Sequence, residues 1–188
     1  MIVLGIDPGS RHFGWGVVAR EGTRLRHVAH GVIFAERGAE TFADRLVTIE
    51  RELLEVVGMH RPTHASIESL FFAKDAQAAS KLGHARGVAL LVCARSGLII
   101  AEYAPALVKR AVAGGGRAEK AQVAQMVRVL LSLASPPPAD AADALALALT
   151  HLSRSPALGP GQALRNAMIP AAKRPISRPF HARKPCPV

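Results

Sequence analysis

An α/β domain on a five-stranded mixed sheet, three strands antiparallel and two parallel, with helices on its flanks, is the fold this sequence predicts. Three observations predict it. Three strand-like stretches follow one another within residues 2–34, joined by turns too short for helical crossovers. Two further apolar runs, at 62–67 and 98–103, each follow a helical pattern, and a strand, helix, strand connection of this length makes a right-handed parallel crossover. The 188 residues, 49% of them hydrophobic, suffice for one domain with a substantial core.

Ile2 to Ile6 is apolar without polar alternation, as in a strand buried on both faces, and Asp7 ends it. Pro8-Gly9-Ser10 turns the chain. Phe13 to Ala19 resumes as a strand with Phe13, Trp15 and Val17 on one face and Gly14 and Gly16 on the other, where another backbone or a ligand can come close. A third strand covers about 24–34 and completes an antiparallel meander. Thr41 and Asp44 form a capping box, and Phe42, Leu46, Ile49, Leu53 and Val56 give an amphipathic helix ending at Gly58, with Glu50, Glu52 and Glu55 outside. Pro62 to Ile67 is the fourth strand, ending at Glu68, and the crossover lays it beside the first so that Asp7 and Glu68 come side by side. After a loop from Ser69 to Asp75, a long helix rich in small residues runs to about Arg95, with Leu82, Ala85, Ala89 and Val92 in one stripe. Leu98 to Tyr103 is the fifth strand, Pro105 opens a short helix, and Gly114 to Gly116 is a joint before a helix at 119–134.

Pro136 to Pro138 stop that helix, and a last one begins at Asp140 and ends near Leu152. Asp140 stands where an N-cap acceptor belongs, with Asp143 in the first turn on the same helix face. Alone, this pair reads either as a helix-capping arrangement or as two ligands of a cation. From Ser153 the periodicity stops. Residues 154–188 hold seven prolines, seven Lys and Arg and no acid, so the chain divides into a folded domain at 1–153 and a disordered, basic, proline-rich tail at 154–188.

The net charge of +10 is distributed unevenly. All 14 acids lie at or before Asp143, and residues 76–128 carry eight Lys and Arg against Glu102 and Glu119. A basic block within the body plus a basic tail suits a polyanion, above all nucleic acid; a solvated surface with a solubilising tail is the alternative. No run of 18 apolar residues and no basic-then-apolar leader is present, so a soluble, cytoplasmic protein is expected. Cys93 and Cys186 make neither a disulfide framework nor a zinc spacing.

The predicted topology sets Asp7 and Glu68 on adjacent central strands, and a helix across the sheet adds Asp140 and Asp143. Four converging carboxylates require cations, and an all-oxygen donor set favours Mg²⁺ or Mn²⁺ over zinc. Two such ions roughly 3.5 to 4 Å apart suit phosphodiester hydrolysis. His151 is excluded as a co-ligand: eight residues at ~1.5 Å rise put it about 12 Å from Asp143 along the helix. His12 and His84 have no ligand spacing and stay unassigned.

Gly5-Ile-Asp-Pro-Gly-Ser-Arg11, Ile67-Glu-Ser-Leu-Phe-Phe-Ala-Lys74, Lys81-Leu-Gly-His-Ala-Arg-Gly87, Ala118-Glu-Lys120 and Ala139-Asp-Ala-Ala-Asp-Ala-Leu-Ala146 resemble the Holliday-junction resolvase RuvC family, in its motif order, over about residues 1–153. The resemblance implies a ribonuclease H-like fold, with Asp7, Glu68, Asp140 and Asp143 at the four acidic catalytic positions. It also implies a homodimer that nicks opposed strands of a four-way DNA junction symmetrically with Mg²⁺ or Mn²⁺, in recombination and repair, beside the RuvA and RuvB branch-migration proteins. Lys109 and Lys120 match DNA-contacting lysines of the family, and Phe71 its junction-contacting aromatic. Phe72, Lys74, Lys81, Arg86, Arg110 and Arg117 complete the expected DNA-binding set. From the residues alone, one of Phe71 and Phe72 is core and the other free to stack on a base, and Lys120 contacts phosphate or offsets the carboxylates.

Three rival readings remain beside this one. An actin-like or sugar-kinase-like ATPase shares the first-strand Asp-x-Gly-Ser turn but needs a second domain that 188 residues do not supply. Another ribonuclease H-like nuclease would share the acids, and a non-catalytic junction-binding protein would not need them.

Overall fold

The meander that begins the chain is drawn by its hydrophobic pattern and small residues. In the computed structural model, which describes residues 1–69 and 76–155, β1 (Ile2–Asp7) and β2 (His12–Glu21) pair antiparallel from Ile2↔Ala19 to Asp7↔Gly14. β3 (Arg24–Phe34) pairs antiparallel with β2, with a register irregularity at Val17/Val18. The α1 helix (Phe42–His60) carries the chain to β4 (His64–Glu68), which joins β1 in parallel, and α2 (Ala76–Arg95) carries it to β5 (Ile99–Tyr103), parallel to β4. The sheet order is β3-β2-β1-β4-β5: the meander and the β4 strand beside β1 are as the sequence predicts, and β5 takes the edge beside β4. Three helices follow: α3 (Pro105–Ala113), α4 (Lys120–Leu130) and α5 (Ala139–Arg154). Phe71, Phe72 and Lys74, and the predicted tail apart from its first two residues, lie outside the described residues.

Alternation along the strands sorts the side chains into two cores. Leu4, Ile6, Phe13, Val17, Ala65 and Ile67 pack on one face against α1 and α2, through Ile49, Leu53, Ala85, Ala89 and Val92. The other face carries Val3, Gly5 and Asp7 on β1, Gly14, Gly16 and Val18 on β2, and Ser66 on β4, in register with one another, with Glu68 two residues beyond Ser66. It is covered by α5, which is buried from Ala141 to Leu152 with only Asp143 partly open, so its apolar character on all sides has a physical cause.

The small residues decide how close α5 comes. A Cβ on Gly5 would lie 1.8 Å from the Ala144 carbonyl oxygen, and one on Gly14 would lie 2.1 Å from that of Asp140. Ser66 adds a buried hydrogen bond, its Oγ donating to the Leu147 carbonyl at 2.8 Å. The helix therefore rests on a trough in the sheet, its backbone against the strands' backbone.

Three element ends differ from the sequence prediction. The capping box of Thr41 and Asp44 forms, but α1 runs past Gly58 to His60 and ends on Arg61, whose φ of 46° lies in the left-handed region. The α4 helix stops at Leu130 rather than 134: Ser132 takes φ 52°, Ser132 N–H donates to Val129 O and Leu133 N–H to Arg128 O, a Schellman closure made without glycine. Asp140 is not the cap of α5. The cap is Pro138, whose carbonyl accepts from Ala142 N–H at 2.8 Å, and Asp140 is the helix's second residue with no capping bond. The proline run starts the helix one residue earlier than a carboxylate cap requires, which frees the Asp140 side chain.

Candidate active site

Asp7 closes β1 and Glu68 closes β4, one strand apart and on the trough face. The seating of α5 over that trough brings Asp143 to the same end of the sheet. Asp7, Glu68, Asp143, Lys109, Lys120 and Leu147 line one cleft of about 280 Å³, closed on its far side by Pro105 and Val108 of α3 and Val123 of α4.

The electrostatics follow from this crowding. The Asp7 carboxyl is pushed up to about 7, first by burial and then by the charges of Asp143, Glu68 and Asp140, with Lys120 opposing. Burial and Asp143 also raise Glu68, against Lys120 and Lys109. Lys120 Nζ donates to Asp143 Oδ2 at 3.1 Å, and that carboxylate holds the ammonium above its ordinary pKa. Three acids line the cleft against Lys109 and Lys120, and Asp140 adds its charge from the edge, so acids outnumber bases there.

A divalent cation fits that imbalance. The donors offered are carboxylate oxygens, the chemistry of Mg²⁺ and Mn²⁺. Among the described residues no three His, Cys, Asp or Glu side chains are placed closely enough to hold an ion together. The acids stand near enough to move one another's protons, with Lys120 paired to one of them.

Asp140 is at the edge of this group. It raises Asp7 electrostatically but does not line the cleft, and its Oδ2 lies 4.0 Å from His12 Nδ1. His12 also faces Glu36, at 3.7 Å from its Nε2. Ligand spacing gives His12 no role, but strand alternation does carry a signal for it: two residues before Gly14 on β2, it shares the trough face with Asp7.

The expected DNA-binding residues separate. Lys109 and Lys120 reach the cleft; Arg110 and Arg117 are exposed on either side of the Gly114–Gly116 joint. Lys81 is exposed on α2, in the layer opposite α5, and does not line the cleft. Arg86 is a correction. It is only 8% exposed, its Nε donates to the Glu68 carbonyl at 3.3 Å and its Nη2 pairs with Glu102, so its guanidinium is held inside the protein rather than offered to phosphate. His151 is internal, its Nδ1 against the Tyr103 hydroxyl at 2.9 Å, in keeping with its exclusion as a ligand.

Comparison with known proteins comes to the same place. The family model described as crossover junction endodeoxyribonuclease RuvC matches residues 3–151. A protein of that name from Sorangium cellulosum is 59% identical over 183 residues, 97% of this chain and 99% of its own length. Its namesake from Caulobacter vibrioides is 51% identical over 149 residues, 79% of this chain and 88% of its own. The solved structure of Thermus thermophilus RuvC in complex with a Holliday junction substrate superposes with a TM-score of 0.75 at 40% identity, covering 81% of this chain and 93% of that one. A yeast mitochondrial Holliday junction resolvase, 14% identical with a TM-score of 0.57, shares the fold.

Proposed function

Because the chain belongs to the crossover junction endodeoxyribonuclease RuvC family, a ribonuclease H-like family of metal-dependent nucleases, we propose that its cleft cuts four-way DNA junctions. The observation that carries the proposal is the seating of α5 in the glycine trough, which sets Asp143 against Asp7 and Glu68 with Lys109 and Lys120 beside them.

In this reading Asp7 and Asp143 hold divalent metal most directly, and Glu68 and Asp140 complete the shell around two Mg²⁺ or Mn²⁺ ions. When bound, such ions activate a water and stabilise the leaving oxygen of a phosphodiester. The chain's own residues do the rest. Partial burial of Asp7 and Glu68 reduces the screening of their charges by water. Lys109 offers a cation to the phosphate. Lys120 pairs with Asp143 at the cleft, where it would offset carboxylate charge or meet phosphate. Phe71 or Phe72 stacks on an unpaired base at the junction, and Lys74, Lys81, Arg110 and Arg117 meet the arms.

The working form is a homodimer, one nick per subunit. Support for it comes from α2, which with Leu46 presents an apolar groove floored by Gly83 and Gly87, with Leu91 51% exposed. Residues 1–153 are the nuclease domain, and 154–188 a cationic extension that holds DNA without reading its shape. The RuvA and RuvB branch-migration proteins are its partners. Among the described residues no helix is long and apolar enough to cross a membrane, and we place the protein in the cytoplasm with its DNA.

Asp7→Asn tests the proposal. Junction cleavage should fall below detection while junction affinity holds or rises, because one negative charge is gone from a polyanion site. Cleavage at the unsubstituted rate would remove Asp7 from the chemistry.

A further inference from the structure

The end of β4 is held from beneath by a group that the catalytic reading does not use. Register between β1 and β4 stops at Ile6↔Ile67, so Glu68 lies one residue beyond that ladder, and on the β5 side Ser69 N–H donates to the Tyr103 carbonyl at 2.9 Å. Below the sheet, Arg86 of α2 is 8% exposed, with Nε donating to the Glu68 carbonyl and Nη2 paired to Glu102 of β5. Glu102 is the register partner of Ile67, so it projects to the α2 side of the sheet, opposite to Glu68. One guanidinium thus joins three elements at the residue whose carboxylate enters the cleft.

We propose that Arg86 is a positioning residue for Glu68: by tying its carbonyl to α2 and, through Glu102, to β5, it fixes the direction in which the Glu68 carboxylate enters the cleft. The arrangement is specific to arginine. Its planar fork reaches a carbonyl with one nitrogen and a carboxylate with another, whereas a lysine ammonium on a flexible stem is a point charge. Burial makes each contact count, since a guanidinium inside the protein must be satisfied on more than one side. The contacts leave no role for Arg86 as a phosphate ligand, although its place in a basic segment suggests one.

The inference rests on the reading of the cleft as a metal-dependent nuclease site, and it is tested on the full chain with Arg86→Gln, Arg86→Lys and Glu102→Gln. Three quantities are read for each: junction affinity without divalent metal, cleavage rate at saturating junction, and the Mn²⁺ concentration giving half of the DNA-free protein's thermal upshift. Supports around metal-ligating carboxylates are worth roughly 10- to 100-fold in metal affinity or activity, and Arg86→Gln should lose that much in the last two readouts with junction affinity unchanged. Arg86→Lys should recover part of the loss. Glu102→Gln, at a half-exposed position and keeping an oxygen for the guanidinium, should raise the half-saturating Mn²⁺ in the same direction by less. Weakened junction affinity with unaltered Mn²⁺ response would overturn the proposal and return Arg86 to the phosphate contacts. Unaltered Mn²⁺ response in both Arg86→Lys and Glu102→Gln would overturn it even if Arg86→Gln failed to fold. No cleavage by the unsubstituted chain would overturn the nuclease reading itself; a cleaving parent with indifferent variants would overturn only the positioning role.

Discussion

Asp7 shows what the fold does to one side chain. As the last residue of a central strand it is buried among other carboxylates, and its pKa rises from the ordinary aspartate range to about 7. The folded chain therefore binds the Asp7 proton more tightly than the unfolded chain does. Its contribution to stability is complete below pH of about 4 and is lost as pH rises toward 7, on the order of 2 kcal/mol after allowance for screening at the cleft mouth. Glu68 shifts in the same direction and adds to the trend. For the metal-free protein, Asp7→Asn should melt higher than the unsubstituted chain at pH 7 to 8, with the gap closing toward pH 4, as followed by circular dichroism. A gap independent of pH would mean that Asp7 is not held in a raised state.

At the scale of the element, the site depends on how deeply α5 sits. A Cβ on Gly5 would meet the Ala144 carbonyl oxygen at 1.8 Å, and neither partner is a flexible side chain that can turn away. Gly5→Ala should therefore cost at least about 3 kcal/mol in denaturant unfolding and suppress cleavage with all four acids in place. Wild-type stability in that variant would show that α5 does not rest on the sheet there. This layer is partly legible in the sequence. Gly14 and Gly16 on one strand face announce a close approach, but whether a ligand or a helix fills it depends on packing between residues far apart in the chain. The meander, the β1–β4 pairing and the meeting of Asp7 with Glu68 are legible because alternation and crossover handedness are strong constraints, whereas Asp140 stays at the edge of the cleft. Where α4 ends is not, since Ser132 adopts the left-handed conformation that a glycine would have signalled. Arg86 misleads for a related reason: in the sequence it is one cation in a basic block, and only its contacts with Glu68 and Glu102 separate it from the exposed ones.

At the scale of the whole molecule, charge is distributed by function. Asp7, Glu68 and Asp143 meet in the cleft, Glu50, Glu52 and Glu55 lie along α1, and beyond Asp143 the chain has no acid at all. Deleting residues 156–188 takes away six Lys and Arg. That truncation should weaken binding to every DNA form alike and flatten the dependence of log Kd on log salt, since each phosphate that the extension neutralises adds roughly 0.9 to the slope. An unaltered slope would assign the extension another task. The central claim is that this anionic cleft, in a paired molecule, resolves junctions, and the most direct measurement is strand cleavage of an end-labelled four-way DNA junction beside linear duplex and RNA/DNA hybrid, with Mg²⁺ or Mn²⁺. Paired nicks at symmetry-related positions on opposed strands, confined to the junction, are the expected result; cleavage of duplex or hybrid at comparable rates, or junction binding with no cleavage under either metal, would contradict it.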